Sequence, residues 1–129
     1  MAWEKNGTPN TLQSTGNTLT ISDMTANKFN IIMWHISGSS SNTVNAQQRF
    51  NNNSNGVYAR RGTTNGRDSR NVYDASQNEI NYGHNWTTWA NAFNIQYICS
   101  ISGQDKLLIS KFVGAGLDRV EEAGKFVPS

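Results

Sequence analysis

Residues that could do chemistry are few in this chain, and their spacing matches no catalytic motif. His35 falls in an apolar strand-like run and His84 in a polar loop. Neither is accompanied by a nucleophile elbow, a Gly-rich phosphate loop followed by Lys, or zinc-ligand spacing. The nine carboxylates are thinly spread, and Glu121 and Glu122 point to opposite faces if their segment is extended. No catalytic residue, cofactor or metal ligand set is assigned on this basis. The stretch Asn51-Asn52-Asn53-Ser54-Asn55-Gly56 outlines half of a calcium loop, with oxygen side chains at alternate positions and Gly sixth. The twelfth position, where that loop needs a bidentate Glu, is Gly62, and neutral amides leave a divalent charge uncompensated. A polar hairpin loop is the expected reading.

Two groups of side chains point to binding instead. Arg60, Arg61, Arg67 and Arg70 fall close together with only Asp68 among them, the one concentrated charge in the sequence. Arginine forks onto carboxylates and is enriched at protein interfaces, so this loop is a candidate contact with another subunit. Nucleic acid is a poor fit, because the net charge is only +2 and no recognition helix or stacking motif accompanies the arginines. The segment from Tyr73 to Trp89 places Tyr82, His84, Trp86 and Trp89 among amides and carboxylates. Flat rings beside such groups suit either a sugar-binding surface or the anchoring of a loop to its own fold or a partner. Trp86 and Trp89 thus join the arginines as candidate interface residues.

The elements that must position these groups repeat with period two. Phe93, Ile95, Tyr97, Cys99 and Ile101 alternate with mostly polar residues, which predicts a strand with one buried and one wet face. Phe29 to Ile36 is apolar on both faces, as a central strand would be. Shorter strands are expected at 18–22, 48–51, 57–61 and 106–113, while 118–127 reads either as a short helix capped by Asp118 or as strand. Turn chemistry at 37–42, 51–56, 63–66 and 102–105 separates them. The expected fold is all-β, a single antiparallel β-sandwich of jelly-roll type spanning 1–129.

Composition agrees. The 129 residues include 18 Asn, 13 Ser and 11 Thr, while charged residues make up only 16%. A coiled coil needs far more Ala, Glu, Lys and Leu, and a disordered tail would carry fewer aromatics and more net charge. No apolar run reaches the ~18 residues of a spanning helix, so no membrane partner is expected. The opening residues lack the apolar core of a signal peptide, and the lone Cys99 reads as a small buried hydrophobe, in a reducing compartment or one where thiols do not matter. Three glycosylation sequons are what chance supplies in so Asn-rich a chain.

Several strings taken in order add a resemblance. Met1-Ala2-Trp3-Glu4-Lys5-Asn6-Gly7 resembles the MAWEKLG start of small phage virion proteins. Arg49-Phe50-Asn51-Asn52, Tyr58-Ala59-Arg60-Arg61, Ile101-Ser102-Gly103-Gln104-Asp105-Lys106-Leu107 and Gly124-Lys125-Phe126 are similar to later strings of the same family. The resemblance implies a β-rich, non-enzymatic structural protein located in the virion, contacting other capsid or tail proteins. It implies a homo-oligomer, with three copies the favoured number. A capsid decoration (cement) protein or a small tail-associated subunit is expected, and a lectin-like module of a tail fibre recognising the host surface is the alternative. Two departures stand out. Asn6 occupies a Leu position, and the family pattern continues past the Gly-Lys-Phe string, so a neighbouring subunit is expected to complete the sandwich.

Overall fold

In the computed structural model the described residues are 4–11, 18–22, 24, 27–37, 47–55, 57–68, 73–77, 80–81, 91–114 and 119–127. They form nine strands and no helix. These are β1 (Phe29–Ser37), β2 (Gln47–Gln48), β3 (Tyr58–Thr64), β4 (Arg67–Asp68), β5 (Tyr73–Gln77), β6 (Ile80–Asn81), β7 (Asn91–Cys99), β8 (Lys106–Gly114) and β9 (Arg119–Phe126). Five long strands make one antiparallel sheet in the order β1-β7-β8-β9-β3, and β4 and β5 pair along the far edge of β3. A separate two-stranded ladder joins β2 to β6. The fold is therefore all-β and antiparallel, built on one large sheet.

Local chemistry explains the connections. Asn65 and Gly66 both take positive φ (52° and 79°), the geometry of a tight turn that matches strand twist, and they join β3 to β4. The Asn65 carboxamide oxygen also accepts the Arg119 N–H at 2.9 Å, which ties this turn to the start of β9. The turn before β3 has Asn51 and Asn52 at positive φ. There the Tyr58 hydroxyl accepts the Phe50 N–H at 2.8 Å and donates to the Asn53 carbonyl at 2.9 Å. Asn53 Oδ1 accepts the Asn55 N–H at 2.9 Å, a side chain closing its own turn.

Three expectations need correction, and one open reading is decided. Of residues 48–51 only Gln48 lies in a strand, β2, and Asn51 belongs to the turn that follows. Residues 18–22 form no strand, and their side chains are exposed. The ambiguous 118–127 segment is strand from Arg119 to Phe126, because Val120, Glu122 and Phe126 fall in phase on the buried face. Finally β1 is an edge strand of the sheet, although it is apolar on both faces. Its outward residues Phe29, Ile31 and Met33 continue an apolar surface shared with β7 and β8.

The core lies on the other, inner side. One cluster gathers Tyr58, Ile80, Ile98, Leu108 and Phe126, with Phe50 and Val57 packed against it. A second gathers Ala92, Phe112 and Val120 against Trp34 and Ile36. Tyr58 and Phe126 pair within the first cluster with ring centroids 5.0 Å apart, and Trp34, which packs against both clusters, stands 5.6 Å from Phe112. Ile80, from the two-stranded ladder, reaches the large sheet over Gly124. A Cβ there would come within 3.2 Å of Ile80 Cδ1 and 3.1 Å of Leu108 Cγ. At the amino-terminal side, Asn6 Nδ2 donates to Asn30 Oδ1 at 3.0 Å, so a polar contact fastens this segment to β1 where the resemblance expects Leu.

Candidate functional site

Register places a polar row between the two core clusters. Gln96 opposes Ser110, and Ser110 opposes Glu122, which faces Gly62 on β3. Asn94 lies two residues along β7 and opposes Phe112. Asn94, Gln96 and Ser110 have no exposed surface, and Glu122 keeps only 4%. Among the described residues, both amide atoms of Asn94 and of Gln96, the Ser110 hydroxyl and Glu122 Oε2 find no hydrogen-bond partner. Each such group costs roughly 1–3 kcal/mol when desolvated without compensation. The carboxylate's other oxygen, Oε1, pairs with the buried Arg60 guanidinium. Burial pushes the Glu122 carboxyl up from 4.5 to about 7, against the opposing pull of Arg60. Both side chains are enclosed, so the pairing bears on stability.

The expected contrast in β7 is inverted. The alternating run does have one buried and one exposed face, but the buried positions are Ala92, Asn94, Gln96 and Ile98. Phe93 is 42% exposed and Tyr97 48%. The same holds in β8, where Leu107, Ile109 and Val113 are exposed while Leu108, Ser110 and Phe112 are buried. In β1, Phe29 and Met33 also face outward and are more than half exposed. Cross-strand pairing assembles these residues into one surface: Phe29 beside Cys99 and Leu107, Ile31 beside Tyr97 and Ile109, Met33 beside Ile95. A shallow apolar depression lies between Phe29, Tyr97, Leu107 and Ile109. Cys99 also lines it and is partly exposed, so it is not the buried hydrophobe expected.

Charge enters on β8, where Lys111 stands between Ile109 and Val113 and opposes Ile95. Lys111 and Glu121 oppose each other across β8 and β9 with 3.8 Å between Nζ and Oε1, and Arg119 approaches the same carboxylate at 3.9 Å. Lys125 pairs with Asp105 at 2.5 Å. The rim therefore carries both signs, while the β1, β7 and β8 side is apolar apart from His35 and Lys111.

The residues singled out in the sequence are dispersed. Arg60 points into the core with 9% of its side chain exposed, whereas Arg61 and Arg67 are exposed. Hence Arg60 does not contribute to a surface basic patch. Arg70, Tyr82, His84, Trp86 and Trp89 lie outside the described residues. Sequence reading missed the outer face, although a signal was present. Ile31-Ile32-Met33-Trp34 and Leu107-Leu108-Ile109 are consecutive apolar residues, which in a strand must fill both faces. Among the described residues no three His, Cys, Asp or Glu side chains gather as a metal site, and no helix is long and apolar enough to cross a membrane. Comparison with protein-family models, with curated proteins and with solved structures found no match.

Proposed function

We propose that this protein is a non-enzymatic structural subunit of a tailed-phage virion, a capsid decoration protein or a small tail-associated subunit, which acts by burying surface against other subunits. The observation that carries the reading is the outer face of β1, β7 and β8. Seven large apolar residues there are each 42–60% exposed. Contiguous apolar surface of that kind marks an interaction site in a soluble protein. The ordered strings from Met1 to Phe126 that resemble small virion proteins supply the setting. On this reading the sandwich is completed between subunits, with the large sheet as one layer and a neighbouring molecule as the other. Repetition around a symmetric particle then multiplies modest contacts through avidity.

The test is composition of the particle. Virions purified on a density gradient from infected cells should contain this chain at a fixed, repeated copy number. Met33→Asp, an exposed change, should lower its occupancy while the free protein stays folded. Absence of the chain from purified particles would overturn the proposal.

A further inference from the structure

We infer that the outer face of β1, β7 and β8 is a two-fold self-association surface, covered by the same face of a second copy of this chain. The inference rests on reading that face as a protein–protein surface, and it names the partner. Three features carry it. The first is the inverted burial of β7 and β8. Phe93, Tyr97, Leu107, Ile109 and Val113 are turned outward while Asn94, Gln96 and Ser110 occupy the core. Large apolar side chains gain by leaving water, and only a molecule packed on this side removes them.

The second feature is area. Seven residues, each showing about half of a roughly 200 Å² side chain, present on the order of 700 Å², against the ~800 Å² per partner of a standard interface. A second copy offers a surface of equal size and flatness by definition. Sheets pack face to face at ~10 Å with their strands within about 30° of parallel, and a two-fold axis lying between the two sheets and running across the strands allows that arrangement and sets border against border.

The third is charge. The β9 side of the face is bordered by Arg119, Glu121 and Lys125 with Asp105 beside Lys125, and Lys111 stands next to this border on β8. A border of both signs is self-complementary under a two-fold rotation, because the acidic groups of one copy can meet the basic groups of the other. The charge nearest Tyr97 and Ile109 is Lys111, two residues along β8, whose ammonium reaches towards Glu121 on β9 at 3.8 Å and so keeps a partner when the face is covered. The depression between Phe29, Tyr97, Leu107 and Ile109 gives room for side chains of the opposing copy to interdigitate.

The experiment is sedimentation equilibrium on the full chain across a micromolar concentration series, with circular dichroism to confirm folding. The expected result is a monomer–dimer equilibrium that Ile109→Asp weakens by about thirtyfold or more, as loss of a central apolar contact does. Met33→Ser, a milder change, should weaken it less and guards against loss of folding. Arg67→Ser, at the hairpin tip, should leave it unchanged. The Cys99 thiol reports position, since it lies on this face and should react more slowly with a small thiol reagent as dimer forms. A protein monomeric at all concentrations overturns the inference. So does a dimer indifferent to both Ile109→Asp and Met33→Ser, or a trimer with no dimer. A monomer that still enters virions places a different protein on this face, which overturns the self-association while the structural role stands.

Discussion

The two sides of one sheet differ in opposite senses from the usual protein. The inner side of β7, β8 and β9 buries Asn94, Gln96, Ser110 and Glu122 between two apolar clusters. The outer side of β1, β7 and β8 exposes Phe29, Met33, Phe93, Tyr97, Leu107, Ile109 and Val113. Polar groups without partners lower stability, and apolar groups in water fail to raise it. A sheet built this way is weaker alone than its composition allows, and it gains most when its outer side is covered. The comparison teaches that covering the outer side would supply stability that the inner side gives up, which is what the proposed assembly needs.

Several measurements would break or sharpen that contrast. The largest effect is expected inside. Phe112→Ala removes a fully buried ring that packs on Trp34, and it should destabilise by about 3–5 kcal/mol in urea unfolding of the monomer. Gly62→Ala is next. The new Cβ would stand 2.7 Å from Glu122 Cγ and 3.0 Å from the Glu121 carbonyl oxygen, so the buried Glu122 side chain must shift, at a cost of roughly 1–3 kcal/mol.

Glu122 should give a pH dependence. Its carboxyl is raised by burial to about 7, above the 4.5 of the unfolded chain. Between those values the native state holds a proton that the unfolded state releases. This group's contribution therefore favours folding below pH 4.5 and is lost as pH rises through 7. Glu122→Gln should flatten unfolding free energy over that interval, and an unchanged slope would mean that Arg60 keeps the carboxylate charged. The smallest effect is expected outside. Ile109→Ser should change monomer stability by no more than ~0.5 kcal/mol, measured at concentrations too low for association. A loss as large as that of Phe112→Ala would mean that the outer face is already packed within one chain.

How far the sequence could be read follows from what period two does and does not encode. Alternation located β1, β7 and β8 nearly to the residue and identified the class as all-β, because strand periodicity depends only on local backbone geometry. The Asn-Gly turn at Asn65 and Gly66 was legible for the same reason. Alternation does not say which phase faces the core. In β7 the apolar phase was the natural choice, and it is the wrong one, since Ile98 and Ala92 with the polar Asn94 and Gln96 turn inward. The position of β1 at the edge was hidden because two apolar faces mimic a central strand. Arg60 looked like part of a basic loop until its strand register brought it to Glu122, 62 residues away. Opposite facing of Glu121 and Glu122 was readable, because it follows from adjacency in an extended chain.

Hydroxyl-radical oxidation of Met33 and Tyr97, compared between dilute protein and the highest assembled form, addresses the central claim most directly. Both side chains lie on the outer face and are about half exposed, and Met24, exposed elsewhere, serves as an internal reference. The account predicts that assembly slows oxidation of Met33 and Tyr97 several-fold while Met24 keeps its rate. Equal rates at Met33 and Tyr97 before and after assembly would show that the apolar face remains in water, and the account would fail.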